Sequence, residues 1–144
     1  MKAHAIKNMR TSHYAISTLL LVSIALFAVT LQADDFTDQD LKDWQAAYES
    51  VVKEGRAAFT DPDLGNNGVV CAQCHPNGAN THPETYPKFQ KQLGRVAALW
   101  EMVNWCIQNP LEGEPLEAGS QSMIALQAYI HDERRGAALE PGKH

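Results

Sequence analysis

The chain has 144 residues, room for one domain of ordinary size and too few for two. Apolar residues make up 44% and charged residues 20%, which excludes a disordered tail and a bundle of membrane spans. With 12 bases against 17 acids the net charge is −5, so no basic stripe follows a nucleic-acid backbone and a nucleic-acid partner is excluded.

Residues 1–33 contain no acid, and their only bases are Lys2, Lys7 and Arg10. Ile16–Leu31 is mostly Leu, Val, Ile, Ala and Phe, and Ala33 precedes the acidic Asp34-Asp35. A positive start, an apolar middle and a small residue at the end read as a secretory signal peptide, cleaved after Ala33. If the leader is retained, it is long enough to anchor the chain in a membrane. Its removal leaves residues 34–144 as one acidic domain, with 9 bases against all 17 acids and a net charge of −8. A domain of that size gains from a covalently attached group in its core.

Three helices are expected in this domain. The first begins at Thr37-Asp38 and carries Leu41, Trp44, Tyr48, Val51, Val52 and Phe59 at steps of three and four. Gly55 lies on the same stripe and allows a second element to approach closely. Thr60-Asp61-Pro62 ends the helix and Gly65-Asn66-Asn67-Gly68 makes a turn. Cys71–Tyr86 is rich in Asn, Gly, Pro and Thr and reads as loop. A second helix is expected over Val96–Asn109, stopped by Pro110, with Leu99, Met102, Val103, Cys106 and Ile107 facing inward. The same spacing turns Trp105 outward, to the side away from Cys106. A third begins at Ser120 or Ser122 and carries Met123, Ile124, Leu126, Tyr129 and Ile130. No run of alternating β-branched residues appears, so the fold class is all-α.

Cys71-Ala72-Gln73-Cys74-His75 is C-x-x-C-H, the attachment signature of a c-type haem. The two thiols add to the two vinyl groups of the porphyrin, and the two residues between them set their separation. The adjacent His75 then binds the iron through an imidazole nitrogen. A thioredoxin-like motif would need a βαβ context, and a four-thiolate zinc site a second cysteine pair; neither is present. One covalent haem c is the expected cofactor, and export agrees with it.

The candidates for the sixth iron position are His82, Met102, Cys106, Met123 and His131. His82, before Pro83, reads as an exposed loop residue. His131, in a charged helix end, reads as solvated. Met102 and Met123 fit ordinary packing. Cys106 has two readings. Cysteine is among the most buried residue types, so a free core thiol is one. An unpaired thiol in an exported protein, on the helix face expected to cover the haem, is the other. The residues alone leave both open.

The domain resembles a class I-type c cytochrome, with Gly55 and Phe59 on the first helix, C-x-x-C-H, and a last helix ending Ala128-Tyr129-Ile130. Met102–Asn109, Gly113-Glu114-Pro115-Leu116 and Ser122-Met123 narrow the likeness. They resemble the haem domains of thiosulfate dehydrogenases and Sox-type sulfur-oxidation cytochromes. The small monohaem His/Cys cytochromes of anammox bacteria are similar in plan. The resemblance implies a class I-type fold around the haem, with Cys106 as its distal iron ligand. Two departures stand out. Thiosulfate dehydrogenases are typically dihaem, whereas this chain has one C-x-x-C-H; and Met102 stands where they tend to place a base, Arg95 being the nearest upstream.

A thiolate ligand stabilises ferric over ferrous iron and lowers the reduction potential. The expected function is therefore low-potential electron transfer by a periplasmic monohaem cytochrome. It is expected to be a carrier or redox-complex subunit rather than an enzyme by itself, working with a redox partner protein such as a second cytochrome subunit. Two alternatives are a haem subunit of a thiosulfate- or sulfur-oxidising enzyme, and an NO- or CO-binding sensor or scavenger.

Overall fold

The structure, a computed structural model, describes residues 36–138; the expected leader lies outside them. Helix α1 spans Asp38–Phe59, with Asp38 and Asp40 in its first turn and Arg56 in its last, each suited to the helix dipole. One turn of helix, α2, spans Cys71–Cys74, and 3₁₀ turns follow at Pro76–Gly78 and Pro83–Thr85. Strands β1 (Lys88–Gln90) and β2 (Arg95–Ala97) form an antiparallel hairpin. Helix α3 spans Leu99–Gln108 and α4 spans Gln121–Glu133.

The packing is that of an all-α protein, as expected. The core is built from Phe59 of α1, Leu99, Val103 and Ile107 of α3, and Met123, Leu126, Tyr129 and Ile130 of α4. Gly55 does what its place on the stripe implied. A Cβ there would lie 1.9 Å from the Ala125 carbonyl oxygen, so α1 and α4 meet backbone to backbone at that point. The Phe59 and Tyr129 rings pack tilted beside it, with centroids 5.1 Å apart. At the start of α4, the Ser120 hydroxyl accepts from the Met123 N–H, the cap expected there.

Three expectations need correction. The second helix starts at Leu99, not Val96, because Arg95–Ala97 pairs with Lys88–Gln90. Gly94, at φ 67°, closes the turn by donating to the Gln90 carbonyl at 2.8 Å, a geometry glycine adopts freely. The long segment Cys71–Tyr86 is not featureless loop, since it holds α2 and both 3₁₀ turns. Leu41 and Trp44 stay about half exposed despite their stripe position, at 53% and 51%. The reason is length: α1 is about 33 Å long and α4 about 20 Å, so α4 cannot cover all of it. On α4, Ile124 is 46% exposed beside the fully buried Met123.

Candidate haem site

α2 begins where Val69-Val70 leaves the preceding turn in extended geometry. The Gln73 side chain reaches back to accept the Val70 N–H at 3.3 Å, fixing the first turn. His75 leaves the helix end with its own N–H bonded to the Cys71 carbonyl at 2.9 Å. Its ring Nδ1 lies 2.8 Å from the Ala79 carbonyl oxygen. A carbonyl only accepts, so Nδ1 carries the proton and Nε2 keeps its lone pair, the tautomer a metal-binding imidazole needs. The 3₁₀ turn Pro76–Gly78, with Asn77 at φ 51°, brings that carbonyl back over the ring.

Cys71, Cys74, His75 and Cys106 all line one cleft of about 750 Å³. That volume is in the range of cofactor pockets. The lining is mostly apolar, with Phe59, Leu99, Val103, Leu111 and Ile130 of the core forming part of the wall. Among the described residues no three His, Cys, Asp or Glu side chains converge to hold a bare metal ion. The three thiols share this lining, and Cys71 and Cys74 lie near enough to Cys106 to act on its charge. Burial raises the Cys71 and Cys106 thiols to about 11 each, with the other cysteines of the cleft adding to the shift. Without a cation nearby both stay protonated at neutral pH.

Of the other candidate ligands, the structure places Met102 in the cleft and the rest outside its lining. Met123 is fully buried in the core, away from the cleft lining. His131 is exposed at the end of α4. Met102 does line the cleft, one turn before Cys106. Trp105, expected to face outward, is half-buried and lines the cleft as well. His82, expected to be an exposed loop residue, is 6% exposed. Its Nδ1 lies 3.2 Å from Glu84 Oε1, and Arg134 of the α4 end reaches the same oxygen at 3.6 Å. His82 therefore ties the segment after the motif to α4 and is not among the residues lining the cleft.

Tyr86 and Lys88 were not singled out in the sequence, and Asn104 was read only as part of the Met102–Asn109 stretch. Tyr86 lines the cleft and accepts a hydrogen bond from the Gln90 amide; burial pushes its phenol to about 12. The Lys88 ammonium lies 4.7 Å from the centre of the Tyr86 ring. Asn104, 8% exposed, donates to the Leu116 carbonyl at 2.8 Å and accepts from the Leu116 N–H at 2.9 Å. This two-point clamp fixes the chain that follows α3. A polar residue among Met102, Val103 and Ile107 was its available signal.

The comparisons with known proteins give the family. The family model of the SoxA/TsdA cytochrome c domain matches residues 54–139, and such a domain implies covalently bound haem. A thiosulfate dehydrogenase of Psychrobacter arcticus is 31% identical over 77 residues, 48% of this chain and 24% of that protein. One of Stutzerimonas stutzeri is 33% identical over 104 residues, 63% of this chain and 34% of that protein. The L-cysteine S-thiosulfotransferase subunit SoxA of Rhodovulum sulfidophilum is 27% identical over 110 residues, 74% of this chain and 38% of that protein. The chain thus spans between a quarter and two fifths of the length of these relatives. With more than half of its residues inside the family match, the chain belongs to the SoxA/TsdA cytochrome c domain family.

Proposed function

We propose that this chain is an exported monohaem c-type cytochrome that passes single electrons at low potential to and from a partner protein. The leader 1–33 delivers residues 34–144 to the periplasm. There Cys71 and Cys74 would hold one haem covalently, His75 would bind its iron through Nε2, and Cys106 would be the other protein ligand. The carrying observation is that one apolar cleft gathers Cys106 with the C-x-x-C-H segment, where the Ala79 carbonyl already sets the His75 tautomer.

Bound haem supplies a one-electron couple; the chain decides its potential. The apolar walls keep water from the iron, and anionic sulfur favours the ferric state. The Cys106 thiol, buried and raised to about 11, would have to lose its proton to serve as a thiolate ligand, because a coordinating thiol is deprotonated. Electron paramagnetic resonance and absorption spectra of the oxidised wild type beside Cys106→Ala test the assignment. Wild type is expected to be low-spin with a thiolate signature, and the variant to lose it. An unchanged low-spin ferric signal in the variant overturns Cys106 as ligand.

A second reading, a haem subunit of a sulfur-oxidising enzyme with a second cytochrome subunit as partner, is favoured by the names of the relatives. It predicts thiosulfate-dependent haem reduction that disappears in Cys106→Ala. Absence of such reduction in wild type leaves electron transfer as the function.

A further inference from the structure

We propose that the hairpin β1–β2 is the docking surface for an acidic redox-partner protein, an inference that rests on the electron-transfer reading above. Phe89 and Val96 stand directly opposite each other in the ladder and remain 58% and 62% exposed. Isolated exposed apolar residues are ordinary, but a cross-strand pair makes a contiguous patch. Around it lies a local reversal of charge. Between Arg56 and Arg134 the only Lys or Arg residues are Lys88, Lys91 and Arg95, all in or beside this hairpin, and no acid occurs from 85 to 100. Arg95 bridges Glu101 at 2.6 Å, yet its side chain stays 55% exposed. Lys91 is exposed, and among the described residues no carboxylate pairs with it.

The patch also sits in the right place. Lys88, Phe89, Gln90 and Lys91 line the rim of the cleft that holds the haem-site residues, so a partner seated on the hairpin is adjacent to the redox centre. A small apolar centre with a charged rim suits the short-lived complexes of electron carriers, which bury less surface than stable ones. Charge chooses the partner's sign. The chain carries −5 overall and repels an acidic protein at long range, whereas the hairpin attracts one locally and orients it. A symmetric pair of copies would set like against like, Lys91 and Arg95 facing their own equivalents. A lipid surface would find only two apolar side chains to embed, too few for lasting attachment.

The haem-loaded full chain, reduced, is mixed in stopped flow with the acidic copper protein plastocyanin as the probe. One electron leaves the ferrous cytochrome and converts Cu(II) to Cu(I), with no proton or atom exchanged. The second-order rate is expected to fall as salt is raised, despite the net negative charge. Lys88→Glu/Lys91→Glu is expected to slow the reaction at low salt about tenfold and to remove or invert the salt dependence. The equal charge change Lys42→Glu/Lys53→Glu on α1 is expected to alter it far less. Lys91→Glu alone, at an exposed turn, carries the test if the double variant fails to fold. A wild-type rate that rises with salt, or equal effects of the two double variants, overturns the proposal. So does hairpin-dependent sedimentation with phosphatidylcholine–phosphatidylserine vesicles when the plastocyanin rate ignores the hairpin. Absorption spectra separate the two levels: absent covalent haem defeats the functional reading, whereas intact spectra with hairpin-independent kinetics defeat only the docking surface.

Discussion

At Gly55 a single hydrogen side chain decides whether two helices can meet. A Cβ would stand 1.9 Å from the Ala125 carbonyl oxygen and 2.8 Å from the Tyr129 Cβ, so neither neighbour can yield by rotating a flexible chain. Gly55→Ala is expected to cost about 3 kcal/mol, at the upper end for overpacking because backbone must move. A urea-unfolding midpoint close to that of wild type would show that the helices do not meet there. The importance of Gly55 was legible because it interrupts an otherwise apolar stripe. The C-x-x-C-H motif stands out for a different reason, since thiol spacing and the adjacent imidazole are local. Asn104 does not. Its role depends on Leu116, twelve positions on, and no local pattern joins them.

Among the elements, the segment from His82 to the hairpin departs furthest from what its composition suggested. Asn, Gly, Pro and Thr argued for loop, but His82, Glu84 and Arg134 tie it to α4. Burial alone would raise the Glu84 carboxyl. Its own backbone N–H, the His82 hydrogen bond and the Arg134 charge outweigh that and hold it below its ordinary value of 4.5. The stability this contributes is fully present above pH 4.5 and is lost as pH falls below that towards the lowered native value. Glu84→Gln is therefore expected to be less stable than wild type at neutral pH and to lose less on acidification, measured by thermal unfolding at successive pH values. Parallel curves for the two proteins would exclude Glu84 as the titrating group. The hairpin itself escaped notice because each strand has three residues, too few to show alternation, and it reads as the start of the next helix.

Over the whole molecule, core and cleft share their walls. Phe59, Leu99, Val103 and Ile130 belong to both, so on the proposed reading a haem held in the cleft would extend the packing of the helices. Cys71→Ser/Cys74→Ser, which prevents attachment, is expected to keep much of its helical circular dichroism while binding a hydrophobic dye and losing cooperative unfolding. A haem-free variant with a sharp, wild-type-like transition would show that the protein fold is self-sufficient.

The sequence by itself determined the helical class and the crossing glycine, and it carries the C-x-x-C-H motif, because each is written in residues within a few turns of one another. Only the tertiary structure decided that His82 is buried, that Trp105 turns into the cleft and that a basic, apolar-tipped hairpin stands at its rim. Those outcomes depend on which surfaces distant segments present to each other. Cys106 belongs to both levels: its helical face was readable from spacing, and its place in the cleft with the motif came from the fold.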